Sequence, residues 1–533
     1  MRLAVVVAIL CGLGVPLVSQ QPPAQIFRSS IRVVPISVVV TDRNGKPVEG
    51  LTAADFTITE DGVEHPLALF SVESRTATPA LQTPPSPGVF SNRLEGPAVG
   101  AVTVILFDRF NTSDVDQRRA HGHLVRFLKN LRAEDRVGLY VLDPGALHVL
   151  HDFSQDTASL LRALDRAVGP TSGALATADV RLPQADAYGG GESNPALTEF
   201  LARSDASLKA MQAFYEEIRA VDTTAALETI ARHLAGVRGR KNVIWISGGF
   251  PLMIDDGIIP KNMSREVLRA TRALSHSDIA IYPVDARGVL DPFVTRPGEK
   301  VPVMRSLEDT RRMLDASLMI AEQTGGRAFY STNDLGTAIG RATGDSDLTY
   351  VLGYVPVNDR WDGRFRRVRV SVNRRGVDVR HRGGYFAHPP EAATAAEQTA
   401  LLDDALRSPL EATALPMSVT TSATPASSSV RLEILLHGSG VTLQPAGAEW
   451  EGSVHLTAAQ GFPDGRLLRL LDRTVNLRLS PEQRQTLLDK GLALTIAVEV
   501  HAEAHHVRLV ARDMHSGRLG SVTIPASGLR GPR

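Results

Sequence analysis

The sequence predicts an α/β protein: a doubly wound domain with a mostly parallel sheet, flanked by N-terminal and C-terminal β-sandwich-like domains. Three observations lead there. The middle of the chain alternates continuous apolar strands with amphipathic helices, the pattern of a parallel sheet covered on both faces. The regions on either side show short strands separated by turn residues, the pattern of sandwiches. The chain's 533 residues, 43% hydrophobic and 22% charged, are too many for one core yet ordinary in composition for globular domains.

Residues 1–24 read as a secretory signal peptide. Met1-Arg2 is a positive start, Leu3 to Val18 is apolar but broken by Gly12, Gly14 and Pro16, and polar Ser19-Gln20-Gln21 follows. The run is short for a bilayer span of roughly 20 residues. Export to the periplasm or beyond is expected, with no stable membrane span after cleavage; an uncleaved N-terminal anchor is the alternative. Leu10 precedes Cys11 where a lipid-attachment site wants a small residue, which argues against a lipoprotein. Cys11 is the single cysteine, so the cleaved chain would carry no thiol. Disulfides, Cys-ligated zinc and cysteine nucleophiles are then excluded.

Residues 25–75 form a small β-sandwich-like domain. Ile31-Arg32-Val33-Val34-Pro35-Ile36-Ser37-Val38-Val39-Val40 is extended and β-branched, Asn44-Gly45 is tight-turn chemistry, and Phe56-Thr57-Ile58-Thr59-Glu60 alternates before Asp61-Gly62. The acidic turn at 42–49 lacks the ligand spacing of a calcium loop and reads as a solvated hairpin. Residues 76–98, rich in Pro, Thr and Ser, read as a linker.

The α/β domain spans 99–347. Apolar Ala101-Val102-Thr103-Val104-Ile105-Leu106-Phe107 ends at Asp108. A helix over 114–131 follows, with Leu124, Phe127, Leu128 and Leu131 on one face. Further strands are expected at 136–142, 147–153, 242–247, 279–284 and 327–330, with helices at 156–168, 223–234, 264–274 and 309–322. An insertion at 169–221 opens as a loop around Gly189-Gly190-Gly191. It ends in a helical stripe, Leu208, Met211, Tyr215 and Ile218, expected to pack on its own domain. Residues 348–388 read as a β-hairpin extension turning at Asn373-Arg374-Arg375-Gly376. Residues 389–428 form a second linker with one helical stretch, and 429–526 a C-terminal β-sandwich-like domain.

Lys plus Arg and Asp plus Glu each total 58, a formal net charge of zero. That removes the overall electrostatic case for nucleic acid. In an open α/β sheet, ligands bind beyond the carboxyl ends of the strands. Here that edge carries Asp108, Asp143, Ser247-Gly248-Gly249 and Asp285. No glycine-rich phosphate cradle follows the first strand. Ile246-Ser247-Gly248-Gly249 does not fit a nucleophile elbow, and no histidine is placed to activate Ser247. His121 and His123 fall two positions apart on a helix, and His501, His505 and His506 lack a carboxylate or thiolate to complete a zinc set.

Val104-Ile105-Leu106-Phe107-Asp108-Arg109-Phe110-Asn111-Thr112 resembles the opening of a von Willebrand factor type A domain. Gly239-Arg240-Lys241-Asn242-Val243-Ile244-Trp245-Ile246-Ser247-Gly248-Gly249 looks like that fold's fourth strand. With Tyr350-Val351-Leu352-Gly353-Tyr354-Val355-Pro356, Asp362-Gly363 and Arg382-Gly383-Gly384-Tyr385, the chain resembles a family of secreted bacterial von Willebrand A-related proteins first defined in Acidobacteria. The resemblance implies a metal-ion-dependent adhesion site whose D-x-S-x-S pattern ligates Mg²⁺ or Ca²⁺. It is degenerate here, with Phe110 and Ser247 replacing a hydroxyl and a carboxylate. Asp108, Thr112 and Thr223 are the candidate metal ligands and Ser247 a supporting oxygen, with Asp143 and Asp285 as possible compensating carboxylates. Weak or absent cation binding, and no other cofactor, is expected.

Three functions compete. The leading one is a non-catalytic, adhesion- or scaffold-type module that binds a protein ligand in the envelope or outside the cell. The others are a hydrolase using Ser247 and a carbohydrate-binding role for the C-terminal sandwich, stacking sugars on Trp450 and Phe462. An aromatic content of 5% supplies such a platform poorly.

Overall fold

The computed structural model describes residues 33–74, 88–93, 102–132, 135–154, 156–166, 195–237, 239–255, 259–288, 303–332, 334–345, 347–358, 360–387, 395–423 and 429–529. The expected signal segment with Cys11, the Pro-rich run at 83–87 and the first half of the 169–221 insertion lie outside the described residues.

The protein is a mixed α/β structure with several sheets. The central sheet orders its strands Ile279–Asp285, Lys241–Ser247, Val102–Asp108, Arg136–Asp143, Ala146–Ser154. The first four run parallel and the last is antiparallel to its neighbour. Phe329 extends the parallel side by bridging Val284. The three inner strands and Ile279–Asp285 read as unbroken apolar runs because successive side chains feed two separate cores. Val104, Leu106, Val243 and Trp245 pack on one face with Leu227, Ile230, Val267 and Leu274 from the helices. Ile105, Phe107, Ile244 and Ile246 pack on the other with Leu124, Leu128, Leu160 and Ile339.

The second half of the expected insertion and the expected helix at 223–234 are one element, the 40-residue helix Pro195–Leu234. No glycine or proline interrupts it after Pro195, so nothing in the backbone ends it near residue 222. Thr223 therefore lies deep inside a helix rather than opening one. In the expected stripe, Ile218 packs against the core, whereas Met211 stays exposed.

The segments read as a small N-terminal domain and a hairpin extension fold together. One sheet orders Val377–Arg380, Val34–Asp42, Leu348–Tyr354, Leu67–Ser74; its companion orders Gly384–Phe386, Phe365–Val372, Phe56–Glu60, Val63–His65. Val34 pairs with Tyr354 and Val38 with Tyr350. Residues 33–74 are too few to bury a core alone, and their apolar side chains share one cluster with Tyr350, Leu352, Val368 and Val370. The hairpin expected around residues 373–376 is also corrected. Phe365–Val372 and Val377–Arg380 lie in different sheets, so the turn, with Gly376 at φ +76°, carries the chain from one sheet to the other. The reason is packing: Val368 and Val370 face the shared core from one side while Val377–Arg380 completes the edge beside Val34–Asp42.

At the centre of this sandwich Glu60 and Arg366 form a buried ion pair at 3.1 Å, with side chains 4% and 3% exposed. Glu60 Oε2 also accepts from the Tyr354 hydroxyl at 2.5 Å and the Tyr385 hydroxyl at 2.9 Å. Arg366 donates onward to the carbonyls of Asn358 and Arg360. Burial and the Glu60 carboxylate push both tyrosine pKa values up, so the phenols stay protonated donors.

The stretches read as linkers, 76–98 and 389–428, contribute structure to the C-terminal sandwich. Val89–Ser91 and Met417–Ala423 pair with one another in the sheet that continues through Ser429–Leu436 to Leu492–Glu499. The opposing sheet contains Gln444–Ala446, Glu449–Gly461, His506–Asp513 and Leu519–Pro525, with Leu467–Leu479 paired to Glu449–Gly461. Buried Asn92 locks the early strand in place: its Nδ2 donates to the carbonyls of Ala412 and Leu415, and its Oδ1 accepts from Met417 N. Composition had concealed these strands because Ser, Thr and Ala suit both linkers and sheet edges. Gly236, at the end of the long helix, donates to Thr413 Oγ1 at 2.8 Å. A Cβ there would lie 2.2 Å from the Thr413 carbonyl.

Removing Glu60 strands a buried guanidinium. Glu60→Ala should lose about 3–5 kcal/mol of unfolding free energy, read as a lowered urea midpoint, with Glu60→Gln losing less because it keeps an acceptor for the tyrosines.

Candidate functional site

The carboxyl edge of the parallel sheet brings all four candidate residues into one cluster. Asp108, last residue of its strand, is fully buried. Its Oδ2 accepts three hydrogen bonds: from Asn111 Nδ2 at 2.8 Å, Ser247 Oγ at 2.7 Å and Trp245 Nε1 at 3.0 Å. Its Oδ1 accepts from the Asn111 backbone N–H at 3.0 Å. Asn111 Nδ2 donates a second time, to Thr223 Oγ1 at 2.7 Å. The amide nitrogen thus bridges the carboxylate and the threonine that the adhesion-site pattern assigns to a cation. Turning the amide over would set oxygen against carboxylate oxygen, so nitrogen faces in, and Asn111 Oδ1 is left buried without a partner.

The remaining candidates are equally committed. Thr112 is fully buried and donates its hydroxyl to the Asp108 carbonyl at 2.5 Å. Ser247 Oγ accepts from Gly249 N at 2.9 Å while donating to Asp108. Asp285 is engaged by Arg287 through its backbone N–H, Nε and Nη2. Asp143 pairs with Arg109 at 3.3 Å and lies 3.8 Å from His148 Nε2. Neither carboxylate turns toward Asp108 to compensate for the missing charge.

The local sequence explains this closure. Ser247-Gly248-Gly249 lets the chain pass tightly beside the 108–112 turn: Gly248 N donates to the Asn111 carbonyl at 3.1 Å, and a Cβ on Gly248 would lie 2.3 Å from that oxygen. Asn111 and Trp245 are the contributors that pattern reading missed. Asn111 occupies a variable position of D-x-S-x-S and passes for turn chemistry. Trp245 shares its strand face with Ser247, two residues on, a spacing that could have flagged it.

These residues do not fit a divalent cation. Mg²⁺ and Ca²⁺ take several hard oxygens with more than one charge; here one buried carboxylate is already saturated by N–H and O–H donors. Among the described residues, no three His, Cys, Asp or Glu side chains are grouped to hold a metal. Burial raises the Asp108 pKa from its ordinary 3.8, with the bonds from Asn111, Ser247 and Trp245 opposing the shift. Among the described residues, Ser247 Oγ is engaged by Asp108 and the Gly249 N–H, with no imidazole among its partners.

Around this buried cluster the surface is mixed. Met253, in the short strand Met253–Ile254, and Ile259 and Tyr330 are exposed. The aromatic faces considered for sugars are covered: Arg484 lies 4.1 Å from the Trp450 ring centre and Arg466 5.1 Å from that of Phe462.

No family profile matches the chain, and no curated protein matches it. Solved structures give slight similarities. The N-terminal domain of TFIIH p34 aligns at 14% identity and a TM-score of 0.21, over 46% of this chain and 97% of that one. The SpRpn10 VWA domain aligns at 10% and 0.19, over 45% and 94%. The pilus adhesin SpaC from Lactobacillus rhamnosus GG, in its open conformation, aligns at 8% and 0.24, over 86% and 60%. Likenesses this slight carry nothing about activity.

Two outcomes follow from the closed cluster. Calorimetric titration with Mg²⁺, Mn²⁺ or Ca²⁺ should give no heat assignable to this site, and Asp108→Ala should leave the trace unchanged; micromolar binding lost in that variant would refute the closed reading. The native state also holds the Asp108 proton to higher pH than the unfolded chain. Its contribution is therefore greatest in acid and declines as pH rises from 3.8 through the raised native value. Urea midpoints should show the stability of the native chain relative to Asp108→Asn falling across that range.

Proposed function

We propose that this chain is a non-catalytic binding protein of adhesion or scaffold type, exported to the cell envelope or beyond, whose von Willebrand A-like doubly wound domain engages a protein ligand without a cation. The observation that carries the reading is the internal saturation of Asp108 by Asn111, Trp245 and Ser247. A rigid floor of this kind, its carboxylate saturated from within, supports contact through the surrounding surface, where Met253, Ile259 and Tyr330 offer exposed apolar area. It leaves neither an open metal position nor a free nucleophile for chemistry. Export rests on the Met1 to Gln21 pattern.

The hydrolase and sugar-binding alternatives find less support. Ser247 donates to a buried carboxylate with no imidazole among its partners, and an arginine lies over one face of each aromatic ring.

The test is capture of a ligand from envelope extract by the immobilised protein. Capture should persist in EDTA and should fall at least about tenfold when Ile259→Asp and Tyr330→Asp are combined, the loss of one apolar contact being worth roughly 1.4 kcal/mol or more. A fluorophosphonate probe should leave Ser247 unlabelled; labelling abolished by Ser247→Ala would favour the hydrolase instead.

A further inference from the structure

The Pro195–Leu234 helix presents an apolar seam that the described residues of its own domain leave exposed. None of the described side chains from residue 199 to 212 is buried; the first buried one is Ala213. Phe200 is 64% exposed, Met211 40%, Phe214 57% and Val221 40%. With Ser204, Ser207 and Ile218 between them, positions 200, 204, 207, 211, 214, 218 and 221 repeat with alternating steps of four and three. That is the heptad spacing by which one helix packs against another. The domain's own core is served by Ala213 and Ala220 on the adjoining face, with Ile218 at its border.

We infer that this seam joins two copies of the chain as an antiparallel helix pair. The seam is self-complementary in one register. With the twofold axis at residue 209, Phe200 meets Ile218 of the second copy, Ser204 meets Phe214, and Ser207 meets Met211. Each serine faces a large side chain, so layers interdigitate with little void. The parallel in-register alternative stacks Ser204 on Ser204 and Phe214 on Phe214, alternating gaps with crowding. Ser207 Oγ already donates to the Arg203 carbonyl at 3.0 Å, so covering it strands no donor.

Charge agrees with the same register. Arg203 of one helix comes beside Glu217 of the other, on the flank where antiparallel pairs exchange ions. Locally, Arg203 pairs with Glu199 and Glu217 with Lys261, so docking merges two surface pairs into one network. The overlap from 200 to 218 spans about 27 Å at 1.5 Å per residue. The contact is isologous and closes on itself, which makes a dimer rather than a filament.

The experiment is sedimentation equilibrium of the full chain from submicromolar to tens of micromolar, with Cys11→Ser in every variant. The expected result is a dimer whose dissociation constant rises at least about a hundredfold in Phe214→Asp, which removes one phenyl contact from each of the two copies. Met211→Asp should act likewise. Unchanged far-ultraviolet circular dichroism and melting would show that both variants still fold. Ala210 sits beside its own copy in this register, so Ala210→Cys should crosslink on oxidation and Ser204→Cys should not. A chain monomeric at every concentration would overturn the inference, even if some other protein's helix then bound the seam. A dimer indifferent to Phe214→Asp and Met211→Asp, or one crosslinked through Ser204→Cys, would overturn it equally.

Discussion

The buried pair between Glu60 and Arg366, 306 residues apart in sequence, is the contact on which the architecture turns. Two charges removed from water tolerate each other only when every remaining lone pair and proton is used. Here Tyr354 and Tyr385 complete the carboxylate while two carbonyls complete the guanidinium. The satisfied set draws residues from before and after the α/β domain into one core. Leu348 pairs with Ser74 across adjacent strands, so the sandwich fixes the points at which the chain leaves and re-enters it. Between domains, Arg380 of the sandwich meets Asp345 of the α/β unit, and Ser37 donates to Asp278. These contacts give the sheet a fixed base opposite the carboxyl edge that carries Asp108.

That base matters to the candidate site because the cluster around Asp108 is built from three separated stretches of backbone, at 108–112, 223 and 245–249. Each donor is positioned by an element whose far end is embedded in core. A cation bound at such a place would be a removable part, and the face would change with its arrival. Here an amide, an indole and a hydroxyl, all neutral donors, meet the carboxylate instead, and the 108–112 turn is held by the protein's own polar groups.

What the sequence reveals depends on how local the deciding physics is. The central strands were legible because burial on both faces writes itself as unbroken runs such as Val104-Ile105-Leu106-Phe107. Asp108 and Ser247 were legible because strand ends are where such sheets bind. The joining of Val34–Asp42 to Leu348–Tyr354 was not, since pairing partners across such a separation leave no periodic trace in either segment. Val89–Ser91 was hidden for a different reason: three residues among prolines look like a linker until Asn92 is seen bonding three backbone groups. Asn111 was overlooked because its role is set by Thr223, which is distant in sequence and lies midway along a helix that pattern reading had divided.

The interleaved course of the chain also bears on how it comes into being. Ser74 and its partner Leu348 are separated by 274 positions, which at 5–20 residues per second is roughly 15–55 seconds of synthesis. Throughout that interval Val34–Asp42, Phe56–Glu60 and Leu67–Ser74 lack the partner strands that come from residues 348–380. A nascent chain in that condition is adhesive toward other nascent chains, and the exposure ends only when residue 386 has emerged.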